Sequence, residues 1–170
     1  MKPESQLPPE NLTDLTELVS RAPDGNLIEV GVYKGGSAWA IQQAGRGRIL
    51  HLFDTFTGIP YADPGDIVQI AHFSDTSAEA VQQAFPKAVI YAGLFPDTFP
   101  DSLHNIAFMH VDCDQHRGCA AAIKLWQERG VSGAIIAFDD YPLPGIRKAI
   151  DDAKLTVAFT PNKIPYAVKE

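Results

Sequence analysis

Asp112 and Asp114 directly follow one apolar run (106–111), and Asp139 and Asp140 directly follow another (132–138). If both runs are buried strands, four carboxylates converge at neighbouring strand ends. Like charges that close destabilise a fold unless something offsets them. Oxygen ligands in that number suit a hard cation such as Mg²⁺. Alternatively, one carboxyl is protonated while another acts as a base. Helix capping is the structural alternative, since Asp114 precedes one expected helix and Asp139 and Asp140 another. Capping accounts for one or two acids but not readily for four. His116 stands beside them, and nearby carboxylates raise an imidazole's pKa toward the range of a general acid or base.

A second group of residues has the composition of a ligand cradle. Glu29, Gly31, Tyr33, Gly35, Gly36 and Ser37 span the end of an apolar run at 26–32 and the start of a helical stretch at 35–44. Glycines there allow a tight turn and close backbone approach to a ligand, and the helix start offers free N–H groups. The G-x-x-x-G-G spacing is neither the dinucleotide G-x-G-x-x-G nor a Walker A loop. Asp54 ends the next apolar run, 25 residues after Glu29. That is close to the distance at which an acid meets a ribose in nucleoside-binding βαβ units.

These residues need elements to hold them. Leu12, Leu15 and Leu18 recur at helical spacing, so 11–21 reads as a helix capped by Asn11 or Thr13. Strands are expected at 26–32, 48–56, 88–91, 106–111 and 132–138, with helices at 35–44, 74–84, 119–129 and 145–153. Residues 57–72 read as a loop, 74–84 opens at Ser74 or Asp75, and 155–160 and 165–168 read as a terminal strand pair. Alternating strands and helices give an α/β fold, a parallel sheet with helices on both faces. Ligands of such sheets bind outside the carboxyl ends of the strands.

Composition narrows the partners. The chain has 170 residues, enough for one domain with a sizeable core, and a net charge of −7, which disfavours nucleic acid and anionic membrane surfaces. No apolar run is long enough to span a bilayer, and the polar, proline-rich residues 1–10 read as loose rather than as a leader. Cys113 and Cys119 lack metal-site spacing and read as free thiols of a cytoplasmic protein.

Five segments in order carry a family resemblance: Glu-Val-Gly-Val-Tyr-Lys-Gly-Gly-Ser at 29–37, Phe-Asp-Thr-Phe-Thr-Gly-Ile-Pro at 53–60, Gly-Leu-Phe-Pro-Asp-Thr-Phe-Pro at 93–100, Val-Asp-Cys-Asp at 111–114 and Asp-Asp-Tyr at 139–141. Over about 26–153 the chain resembles the macrocin O-methyltransferase (TylF-like) family of class I S-adenosylmethionine-dependent methyltransferases. The resemblance implies a Rossmann-like three-layer sandwich with a mostly parallel seven-stranded sheet and an antiparallel last strand. It divides the chain into a tail and helix (1–25) and a cofactor-binding domain (26–170). It implies S-adenosylmethionine, Mg²⁺ and methyl transfer to a hydroxyl of a small molecule. Glu29, Gly31, Tyr33, Gly35 and Ser37 would surround the cofactor's methionine part, Asp54 its ribose, and Ala92 and Gly93 its adenine. Asp112, also beside the cofactor, would hold the metal with Asp139 and Asp140, and Asp114 would be a neighbouring acid or base.

Departures accompany the likeness. Cys113 replaces a glycine of the family's Asp-Gly-Asp, and His116 falls where the family has Tyr. A lid is expected from 57–72 or from a second subunit, which makes a homodimer the expected assembly. A Mg²⁺-dependent phosphohydrolase is the competing enzyme class, because Asp112-x-Asp114 also suits phosphoryl chemistry. A binding protein that keeps the cofactor without catalysis is the other alternative.

Overall fold

The computed structural model describes residues 3–170. Short apolar runs become the strands β1 (Asn26–Val30), β2 (Leu50–Asp54), β3 (Val89–Ala92), β4 (Ile106–Val111), β5 (Gly130–Phe138), β6 (Ala158–Phe159) and β7 (Pro165–Val168). They form one sheet in the order β3-β2-β1-β4-β5-β7-β6. The first five strands are parallel, and β7 runs antiparallel to both β5 and β6. Every residue of β4 is buried, as expected for a central strand covered on both faces.

The helices are α1 (Pro9–Arg21), α2 (Gly36–Ala44), α3 (Ala78–Ala84), α4 (His116–Arg129) and α5 (Pro144–Asp152). Successive strand residues point to opposite faces. Leu27 and Phe108 therefore join a core with α1, α2 and α3, while Ile28 and Met109 join a second core with α4 and α5. The outcome is a three-layer sandwich whose strand order reverses between β1 and β4. That reversal opens a crevice at their carboxyl ends.

Several boundaries differ from expectation for local reasons. Helix α1 starts at Pro9, which suits a first-turn position because its missing N–H would have no partner there; neither Asn11 nor Thr13 caps it. Its other end is held by Arg48, which donates to the carbonyls of Val19, Ala22 and Pro23. Helix α3 opens at Ser77, whose hydroxyl accepts from the Ala80 N–H. Ser74 and Asp75 lie outside it. No helix joins β3 to β4, so the alternation is incomplete.

Of the proline-rich residues 1–10 expected to be loose, 1–2 lie outside the described residues and 3–10 are ordered against the domain. Leu7 is buried in the same core as Leu12, Leu15 and Leu18 of α1. Among the described residues, no helix is long and apolar enough to cross a membrane. Helix α1 shares its core with the strands, so Leu15→Ala, at a wholly buried position, is expected to destabilise the whole domain by about 2–5 kcal/mol. Urea denaturation followed by circular dichroism should show one transition at a lower midpoint.

Candidate active site

A cavity of about 370 Å³ occupies the crevice outside β1 and β4. The β1–α2 turn forms one wall. Gly31 takes φ 87° there, and a Cβ on it would run into the backbone carbonyl of Asp112. Only glycine lets the ends of β1 and β4 lie this close. The Asp112 N–H donates to Val30 O at 2.8 Å, and the Asp139 N–H to Val111 O at 2.9 Å. The sheet's hydrogen-bond ladder thus runs into the carboxylates themselves.

Asp54 ties this turn down. Its Oδ2 accepts the N–H groups of Val32 (2.7 Å) and Tyr33 (2.8 Å), and its Oδ1 accepts that of Phe56 (2.8 Å). A carboxylate has about four acceptor sites. Three of these are engaged by the turn, and the Thr55 hydroxyl lies 3.5 Å from Oδ1, so the carboxylate is largely committed to folding this turn. Tyr33 sits in left-handed backbone at φ 52°. Its hydroxyl donates to Asp75 at 2.7 Å, and its carbonyl accepts from Thr76 at 2.6 Å.

The opposite wall carries the acids. Asp112, Asp139 and Asp140 each offer an oxygen, all within 4.8 Å of one another, and Asp114 joins them in the cavity wall. None caps a helix: Gln115 and Leu143 precede α4 and α5, and neither helix has a side-chain cap at that position. Asp114 and Asp140 stand in left-handed backbone, at φ 60° and 49°. Asp tolerates that conformation better than most residues, and such strain concentrates at functional sites. Burial pushes all four carboxyls above the usual range, and the neighbouring charges of Asp139 and Asp140 push Asp112 further. Asp140 is pushed up to about 7, by burial first and then by Asp114. Three close oxygen donors short of positive charge fit a hard divalent cation.

Other expected site residues are placed as follows. Ser37 and Gly93 line the cavity, whereas Gly35 and Ala92 each lie one residue outside its wall. Glu29 does not face it. This residue is wholly buried and bonded to His110 on β4 at 2.9 Å, adding to the negative field on Asp112. His116 is not brought to the cavity either. As the first residue of α4, it lies 3.6 Å from Asp152 in a separate cleft beside Lys148, which removes it from proton transfer here.

Two segments border the cavity: the loop at 57–72, which the sequence offered as a lid, and a strap at 4–8, which it did not. Residues Glu4–Pro8 form part of the cavity wall. Ser5 packs so tightly on Gly36 that a side chain there would collide with it. A lone apolar residue, Leu7, among prolines was the only sequence signal for this strap. On the other side, the loop at 57–72 is fastened to the start of α4. Asp66 accepts from the His116 N–H, and Asp63 accepts from the Arg117 N–H (2.9 Å) and Nε (2.8 Å). Gln115 donates to Tyr61 O at 2.7 Å.

The raised carboxyls fix a pH dependence. Between about pH 4 and 7 the folded, metal-free protein holds more protons than the unfolded chain, so stability falls as pH rises through that window. Thermal melts without metal should give a Tm several degrees lower at pH 8 than at pH 5. Asp54→Asn leaves one acceptor oxygen for three N–H groups and should lower both Tm and cofactor affinity. Affinity loss without a change in Tm would instead make Asp54 purely a ligand contact.

Comparison with known proteins agrees with this fold. The O-methyltransferase NovP superposes with a TM-score of 0.80 at 21% identity, over 94% of this chain and 79% of its own. The calicheamicin methyltransferase CalS11 gives 0.77 at 22% identity, over 94% and 77%. An O-methyltransferase from Bacillus cereus, solved with SAH, gives 0.66 at 13% identity, over 99% and 84%. These likenesses show a shared fold. No curated protein matches the sequence. The sequence profile of the macrocin-O-methyltransferase (TylF) family matches residues 9–161, and the chain therefore belongs to that family of S-adenosylmethionine-dependent O-methyltransferases.

Proposed function

We propose that the protein methylates a hydroxyl of a small-molecule acceptor with metal assistance, and that it does so in the cavity between the Gly31 turn and the carboxylate trio. The observation that carries this reading is the meeting of the two walls: a tight backbone cradle faces three oxygen donors within 4.8 Å of one another. Family membership sets the phosphohydrolase alternative aside. The net charge of −7 supports a small-molecule acceptor over nucleic acid or an anionic membrane. Two free thiols are consistent with a cytoplasmic protein.

When bound, S-adenosylmethionine supplies an electrophilic methyl, and Mg²⁺ orients the acceptor oxygen and acidifies its hydroxyl. Asp112, Asp139 and Asp140 would hold that cation. The chain's own part is positioning and proton management. Gly31 and Ser37 let the backbone approach the methionine end of the cofactor, and the free N–H groups at the start of α2 suit its carboxylate. The apolar side, built from Phe53, Leu94 and Phe95 beside Gly93, suits the adenine. The strap at 4–8 and the latched loop border the cavity and narrow its access to water. Asp114 lies beside the trio, hydrogen-bonded to Asp140, and is the carboxylate assigned here to take the hydroxyl proton.

Calorimetric titration of S-adenosylmethionine into the protein should give micromolar binding, about −8 kcal/mol. Transfer of labelled methyl to a catechol should require Mg²⁺ and stop with EDTA. Asp114→Asn should lower kcat by about 10²-fold or more with cofactor affinity unchanged. Absence of cofactor binding, or turnover indifferent to EDTA and to Asp112→Ala, would overturn the respective parts. Mg²⁺ should also raise Tm most at high pH, where the trio is least protonated.

A further inference from the structure

The charged residues of the cavity wall are all of one sign. Glu4, Asp54, Asp112, Asp114, Asp139 and Asp140 line it, with no Lys, Arg or His among the described lining residues. Asp54 is spent on backbone N–H groups, and three others form the cation trio. Asp114 stands beside that trio, hydrogen-bonded to Asp140, and Glu4 is the exposed acid of the wall, 3.6 Å from Lys34.

Among the described residues, the neighbouring groups that would ordinarily attract an anion are engaged as follows. Lys34 pairs with Asp75 at 2.8 Å and with Glu4 at 3.6 Å. Arg117 pairs with Asp63 and stacks 3.9 Å from the centre of the Tyr61 ring. Lys148 and His116 both face Asp152. The start of α4, where backbone N–H groups and the helix dipole favour negative charge, is filled by the carboxylates of Asp63 and Asp66. A phosphate or carboxylate on the acceptor would find each of these places held by the protein's own acids.

Resting on the methyltransferase reading above, we propose that this site selects hydroxylated acceptors that are neutral or carry an amine, and rejects acceptors that bring a phosphate or carboxylate into the cavity. Acceptors of the nucleotide-sugar type fall in the rejected class. Uncharged glycosides, phenols and amine-bearing polyols fall in the accepted one. Like-charge repulsion from the all-acidic wall is the discriminating force, with Glu4 its exposed member.

Three catechols of similar size and different charge test this: dopamine, catechol and 3,4-dihydroxybenzoate. Their methylation is measured in S-adenosylmethionine and Mg²⁺, and their binding to protein loaded with S-adenosylhomocysteine and Mg²⁺ is measured by calorimetry, so that the result does not depend on turnover. Dopamine and catechol should each exceed the anion by at least about tenfold at low salt. The gap should shrink as salt is added. Glu4→Lys, an exposed change with little effect on folding, should narrow the gap as well. Equal or tighter binding of 3,4-dihydroxybenzoate, or binding of none of the three, overturns the proposal. S-adenosylmethionine is titrated first: its failure to bind overturns the methyltransferase reading, whereas its binding together with an anion preference overturns this inference alone.

Discussion

Mutual repulsion among Asp112, Asp114, Asp139 and Asp140 is the constraint around which the molecule is arranged. Two parallel strands end side by side, and their hydrogen-bond ladder delivers a carboxylate from each into the same small volume. Among the described residues, no arginine or lysine lines that volume. The surrounding fold has to tolerate the strain, and it does so with two unbroken apolar cores on either side of the sheet. A site of this kind is unfavourable for the empty protein and favourable for the loaded one, because any cation that enters relieves several raised carboxyls together. Binding and stability are thereby linked at one place.

The second structural theme is the use of acids as fasteners. Asp54 folds the β1–α2 turn, Asp63 and Asp66 pin the loop at 57–72 to α4, and Asp75 clasps Tyr33 and Lys34. Asp14 does the same work at a distance, accepting from the backbone and side chain of Asn162 near the C-terminus. The net negative charge is thus partly structural. Many of these carboxylates are matched to backbone N–H groups, which lack a balancing formal charge.

The parts of the fold legible in the sequence were those dictated by local pattern. The run 106–111 gave β4 without error because all six residues are buried in the centre of the sheet. The Leu12, Leu15 and Leu18 spacing gave α1, and the convergence of the acids followed from the parallel topology alone. What escaped depended on partners far away in the chain. Asp75 looked like a helix cap, but its carboxylate goes to Tyr33 and Lys34. Residues 1–10 looked loose because one leucine among prolines carries no period, although Leu7 packs under α1. His116 is close in sequence to the acids, yet the first turn of α4 carries it to Asp152 instead. Asp54 had the right position for a ligand contact, but only its three N–H partners reveal that its carboxylate is mostly occupied by the turn.

The strap also bears on how the protein is handled. Glu4, Ser5 and Leu7 are at once the approach to α1 and part of the cavity wall, with Ser5 seated on the glycine that opens α2. An affinity tag or surface linker joined just ahead of Glu4 would pull on that wall directly. The C-terminal residues after antiparallel β7, by contrast, lie beside the start of β5, at the opposite end of the strands from the cavity. Immobilisation through the C-terminus therefore leaves the ligand chamber under no mechanical load.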